Sequence, residues 1–182
     1  MSESNEAFSH RNGQRIARGP LITVSRYHDF SAGHRVVGHE NKCRSLHGHN
    51  YRVTFHVTAP ALDTLGRVLD FSFLKSSLCQ WLEDNWDHKM LLWEKDPIGP
   101  YLQDLRRDAS QHSSFFTLPV ANELLNGLDL VEVPFNPTAE HMAQYLLHVV
   151  GPLTLKGTGA RLVGVDVSET RKCSASAQWQ EV

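Results

Sequence analysis

In the stretch HNYRVTFHVTA, Tyr51, Val53, Phe55 and Val57 alternate with Arg52, Thr54, His56 and Thr58. A β-strand, with its period of two, sorts such a set into one buried and one wet face. A chain carrying it must build a sheet that is covered on one side. LITVSRYHDFSAGH, from Leu21 to His34, reads as the preceding strand, rich in β-branched and aromatic residues. ARLVGVDVSET supplies a third strand and SASAQWQ a fourth. Between these pairs, DFSFLKSSLCQWLEDN is an amphipathic helix. Leu74, Leu78, Trp81 and Leu82 form its apolar stripe, and Asp70 or Ser72 suits its cap. NPTAEHMAQYLLHVV is a second helix, with Asn136 as N-cap and Pro137 in the first helical position. Its buried stripe is expected to be Met142, Tyr145, Leu146 and Val149. The order strand, strand, helix, helix, strand, strand gives an α+β fold, a four-stranded antiparallel sheet with two helices on one face.

At 182 residues the chain is expected to be a single domain over residues 21–182. Residues 1–20 read as a disordered polar tail: they lack the apolar core of a secretory signal, and Glu3 and Glu6 argue against a transit peptide. A net charge of −2 gives no basic field for nucleic acid, and no apolar run reaches membrane-spanning length. Cys43, Cys79 and Cys173 are too few and too odd in number for a disulfide framework, so reduced thiols and a cytoplasmic location are expected. Trp93 to Leu130 is a polar, weakly patterned stretch, with a short helix expected at VANELLNGL.

The eleven histidines are the unusual count, and three of them concentrate the chemistry. His47 and His49 stand at i and i+2 at a strand start, so both side chains point to one face, as two ligands of one ion require. Gly48 between them puts no side chain on the other face. His34 ends the preceding strand, and antiparallel pairing can bring it alongside. Three neutral imidazoles leave a fourth tetrahedral position free, the arrangement of a catalytic rather than a structural zinc. On the residues alone, Cys43 can instead serve as a fourth ligand and close the site. His28, His39 and His56 are rival ligands, although His56 lies far along its strand and His39 sits in the loop.

FSAGHR, KCRSLHGHNYRV, GRVLDFSFLK, WDHKMLL, NPTAEHMAQYL and SETRKCSA occur in that order and cover most of the stretch from Phe30 to Cys173. Together they resemble the 6-pyruvoyl tetrahydropterin synthase family. The resemblance implies the tunnelling fold, in which sheets from several subunits join into a barrel, commonly a hexamer of two stacked trimers with active sites between subunits. It implies zinc on His34, His47 and His49, and Cys43 as a catalytic acid or base outside the coordination shell. Asp87 and His88 match the catalytic pair, Glu169 the anchor of the pterin ring, and Thr138 a position whose backbone lines that pocket. The residue types fit: a thiol beside a cation is acidified, and a carboxylate matches a guanidine-like edge with two hydrogen bonds. Cys79 reads as packing, and Cys173 has no assigned role.

The spacing C-x-x-x-H-G-H, in CRSLHGH, resembles the 6-carboxytetrahydropterin synthase branch of the queuosine and deazapurine pathway. That likeness implies a lyase acting on 7,8-dihydroneopterin triphosphate with release of triphosphate and acetaldehyde. The alternatives are triphosphate elimination alone, giving 6-pyruvoyl tetrahydropterin, and a non-catalytic zinc-stabilised module that binds a pterin. The chain departs from the family pattern in an insertion at about 93–130, beyond ordinary connection lengths, and in Leu92, where an asparagine is expected.

Overall fold

The computed structural model describes residues 22–111 and 129–179. The expected tail at 1–20 and the helix expected at VANELLNGL fall outside the described residues. Six strands form one sheet: β1 (Thr23–His34), β2 (His47–Thr58), β3 (Lys89–Trp93), β4 (Leu130–Val133), β5 (Arg161–Ser168) and β6 (Ser174–Gln178). Their spatial order is β4-β3-β1-β2-β5-β6. The four strands expected from alternation are β1, β2, β5 and β6, antiparallel throughout. The expectation of only four strands is corrected to six. β3 and β4 extend the sheet beyond β1, parallel to it and to each other. These two strands have five and four residues, and β3 buries Leu91 and Leu92 in succession, so neither carries an alternating signature.

Helix α1 spans 71–85, running from Phe71–Leu74 through a π-helical turn, Lys75–Cys79, into Gln80–Asn85. Asp70 caps it, its carboxylate accepting the Ser72 amide at 2.8 Å. Helix α2 (Ile98–Gln111) occupies much of the stretch that looked weakly patterned, and Gln103 donates to Glu132 of β4 at 2.6 Å. Helix α3 spans 139–154 and likewise contains a π-helical turn, Leu146–Val150. Its N-cap is Thr138, whose hydroxyl accepts the His141 amide, and not Asn136. Asn136 holds the Val37 backbone instead, through its amide at both N–H and C=O.

Leu74, Leu78 and Leu82 of α1 and Met142 and Leu146 of α3 share one cluster with Tyr51, Val53, Phe55 and Val57, each of them fully buried. The core therefore lies between the helices α1 and α3 and one face of the sheet. The opposite face is polar, crossed by a two-bonded Arg52–Asp29 pair and by Ser25–His56–Asp166 contacts at 2.7 Å. Val149 departs from its expected place: it is 46% exposed, and Val150 is fully buried in its stead. A π-helical turn adds one residue to the repeat and so moves the stripe along by one position. Among the described residues no helix is long and apolar enough to cross a membrane.

The shifted stripe is tested by truncating the two neighbours. Val150→Ala is expected to cost about 2 kcal/mol for the methyl groups removed from the core. Val149→Ala should stay within about 0.5 kcal/mol. Urea midpoints at one protein concentration measure both, and equal losses would contradict the π-turn register.

Candidate metal centre and active site

The antiparallel register of β1 on β2 sets His34 opposite His47 and Ala32 opposite His49. The inward parity of β2 that buries Phe55, Val53 and Tyr51 continues backwards to His49 and His47. The three histidines thus prolong the apolar stripe beyond the core. Their nearest ligand atoms all lie within 4.8 Å of one another, and ring centroids are separated by 4.5, 5.2 and 5.0 Å. Gly48 permits the close strand approach, since a Cβ there would stand 2.9 Å from the Ala32 carbonyl oxygen.

Two of the imidazoles are already oriented. His34 Nδ1–H donates to the Pro137 carbonyl at 2.7 Å, and His47 Nδ1–H donates to the Ser45 carbonyl at 2.8 Å. Such bonds fix the tautomer and leave Nε2 as the electron-pair donor. His34 Nε2 is buried and has no hydrogen-bond partner. Burial first, and then the neighbouring His47 and His49, lower the His34 pKa to about 4, against the opposing pull of the Pro137 carbonyl. The ring is therefore neutral at physiological pH, the form that binds a metal. A buried acceptor without a partner costs roughly 1–3 kcal/mol, and a cation shared by three imidazoles satisfies it. The donor set fits zinc.

The rival histidines are engaged elsewhere. His28 faces Glu83 at 2.9 Å, His39 accepts the Asn41 amide, and His56 lies between Ser25 and Asp166. Cys43 does not share the cluster formed by the three histidines. It sits half-buried in a single 3-10 turn, Lys42–Arg44, and its carbonyl accepts the Val36 amide at 2.8 Å. Cys79 is buried in α1, as its packing role requires, and Cys173 is exposed. Tyr51 was legible only as a core residue. Its hydroxyl is buried without a partner, and its ring packs edge-on against those of His34 and His49. Burial, and then the nearby Glu169 and Cys43, hold its pKa above the ordinary value.

Asp87 and His88 meet at the start of β3. Asp87 Oδ1 accepts the Ser31 amide at 2.9 Å, and Oδ2 accepts from His88 Nδ1 at 2.7 Å. Partial burial pushes the Asp87 carboxyl up, but the Ser31 amide and the His88 ring together bring it below its ordinary value. His88 takes a left-handed backbone, with φ of 55°. That is uncommon for a residue with a side chain and a mark of functional positions. Its side chain is 82% exposed and borders a cleft that Gly33, His47, Gly48, His49 and Met90 also line. Asp87, His88 and Glu169 line a second, larger cleft of about 1090 Å³, into which His49, Tyr51 and Arg171 also reach. His34, His47, Cys43 and Thr138 are not part of that lining. Within one chain, then, His88 shares one cleft with His47 and His49 and a second with His49, while Cys43 and Thr138 line neither.

The family described as 6-pyruvoyl tetrahydropterin synthase matches residues 23–180 of this chain. A 6-carboxy-5,6,7,8-tetrahydropterin synthase of Rickettsia felis is 30% identical over 154 residues, which cover 84% of this chain and 97% of that protein. A probable 6-carboxy-5,6,7,8-tetrahydropterin synthase of Halobacterium salinarum is 34% identical over 149 residues, 80% of this chain and 79% of that one. Among solved structures, an uncharacterized protein of Wolinella succinogenes superposes with a TM-score of 0.72 at 25% identity, covering 89% of this chain and all of the other. The 6-pyruvoyl tetrahydropterin synthase of Caenorhabditis elegans shares the fold with a TM-score of 0.55 at 20% identity, over 90% of this chain and 99% of that one. With its histidine cluster, its curled α+β sheet and a match over nearly its whole length, the chain belongs to the 6-pyruvoyl tetrahydropterin synthase family of enzymes.

Proposed function

We propose that this enzyme converts 7,8-dihydroneopterin triphosphate to 6-carboxy-5,6,7,8-tetrahydropterin, releasing acetaldehyde and triphosphate. The observation that carries the reading is an open metal site: three convergent imidazoles, a buried His34 Nε2 without a partner, and Cys43 outside the cluster. The short C-x-x-x-H-G-H spacing and the relatives named as 6-carboxytetrahydropterin synthases favour this branch over triphosphate elimination alone.

His34, His47 and His49 would hold zinc, which when bound supplies a Lewis acid to polarise the substrate's side-chain hydroxyls. Cys43, on its turn outside the cluster, removes a proton from the substrate side chain. Asp87 fixes the His88 ring through Nδ1, leaving Nε2 to exchange the second proton. Glu169 receives the guanidine-like edge of the pterin with two hydrogen bonds. The Thr138 hydroxyl is committed to the cap of α3, so only its backbone is left to face the ring.

The assembly proposed is a homo-oligomer, a hexamer built from joined sheets, in which the dyad of one copy completes the site of another. Two features support it: the edge strands β4 and β6 each leave one side unpaired among the described residues, and the His88 side chain is 82% exposed within its own chain.

One zinc per chain is expected by metal analysis, lost on substituting His34, His47 or His49. Cys43→Ala should keep the metal and lose at least about 100-fold in kcat, the size of effect typical of an acid/base group. Loss of zinc in that variant would make the thiol a ligand. A coupled alcohol dehydrogenase assay should detect acetaldehyde in step with triphosphate. Triphosphate without acetaldehyde would move the enzyme to the pyruvoyl branch, and neither product would leave a binding module. Mixing Cys43→Ala and His88→Ala subunits after dissociation should restore part of the activity that each lacks. No recovery in a verified mixed oligomer would place both residues in one chain's site.

A further inference from the structure

The long connection between β3 and β4 begins at Glu94, and its third residue is a buried acid. The Asp96 side chain is fully sealed from solvent. One oxygen, Oδ1, accepts the Ile98 amide at 2.9 Å and so opens α2. The other, Oδ2, lies 2.8 Å from Arg35 Nε, with the N–H angled off the oxygen, so the contact is ionic more than a directed hydrogen bond. Arg35 directly follows His34. A buried carboxylate is costly unless paired, so this contact binds the connection firmly to the chain just past the metal cluster.

What Arg35 leads into is the loop that carries Cys43. The Val36 amide donates to the Cys43 carbonyl at 2.8 Å, and this bond closes the loop on itself. Val37 is held on the other side by the Asn136 side chain, at 2.9 Å to both its N–H and its C=O. Val36 is thus clamped between an anchor from the connection and an anchor from the segment before α3. The thiol sits on a turn that has no side-chain cap and buries none of its residues. The turn carries two backbone bonds of its own, Arg44 N–H to Asn41 and Ser45 N–H to Lys42, and the bond to Val36 is what ties it back to the end of β1.

We propose that Asp96, acting through Arg35, is a positioning residue for Cys43, and that the extra segment between β3 and β4 serves in part to set the thiol against the metal site. The role assigned to Cys43 rests on the function proposed above; the mechanical coupling does not. A thiol displaced by about an ångström loses on the order of 100-fold in rate, because proton transfer depends steeply on geometry.

The test compares full-length wild type with Asp96→Asn, which keeps the cap on Ile98 but removes the charge that holds Arg35. Backbone hydrogen exchange followed by mass spectrometry should show residues 36–44 exchanging at least about tenfold faster, with α3 unchanged and zinc content retained. In the turnover assay kcat should fall about 10- to 100-fold while KM moves less than about threefold. Arg35→Ala leaves Asp96 on its cap and removes only the partner; it should reproduce both effects, and it carries the test if Asp96→Asn does not fold. Unchanged exchange in the 36–44 loop overturns the coupling whatever the activity. Faster exchange with unchanged kcat also overturns the proposal, since the thiol would then not need the clamp. An enzyme inactive as wild type would sink the proposed function and with it the kinetic role, while the exchange result would still decide whether Asp96 orders the loop.

Discussion

The register of β1 on β2 is the constraint from which the site follows. Twelve consecutive pairs run from Thr23 opposite Thr58 to His34 opposite His47 without a bulge. Along β2 a single parity serves two purposes. From Val57 back to Tyr51 it faces the core, and at His49 and His47 it faces the histidine cluster. A slip of one residue would move every one of these side chains to the other face. The buried stripe therefore fixes the histidine cluster: the apolar residues that cannot tolerate the slip hold the imidazoles in place. The bulge in the sheet occurs instead between β2 and β5 at His56 and Val57, at the end away from the histidines.

Around that register the chain supplies support from far away in sequence. The carbonyl that orients His34 belongs to Pro137, 103 residues on, just before the cap of α3. Asn136 and Pro137 together hold Val37 and His34, so the start of α3 acts as a bracket for the end of β1. Proline is suited here because its carbonyl is free to accept while its missing N–H demands nothing. This also explains why the helix begins two residues later than its Asn-Pro start suggests. Asn136 is occupied in bonding the loop, and the capping falls to Thr138.

Legibility followed the length and regularity of each element. β1, β2, β5 and β6 could be read because each has five or more residues, with either alternation or β-branched enrichment. β3 could not, since Leu91 and Leu92 are buried in succession and Leu92 drew notice only as a departure from a motif. The two long helices were legible in place and sense, but not their π-helical turns, because a repeat of 3.6 assigns Val149 inward, whereas the inserted residue puts Val150 there. Tyr51 belongs to the alternating set, so nothing in its spacing distinguished a plain core ring from one that packs against the clustered histidines and carries a buried hydroxyl without a partner. Asp96 carried no signal at all, being one acid among many in a polar stretch.

The sequence by itself determined the four antiparallel strands, their covered face and the identity of the clustered histidines, because a period of two and an H-x-H pair at a strand start leave little freedom. It also determined the family, through the order and spacing of six short blocks. Tertiary structure alone decided which nitrogens are free, since the Pro137 and Ser45 carbonyls that occupy Nδ1 of His34 and His47 come into reach only on folding. It alone decided where His88 stands, because that depends on β3 joining β1 in parallel and on a left-handed residue at the join. Such facts lie in long-range pairings, whereas periodicity reports only which way a residue points within its own element.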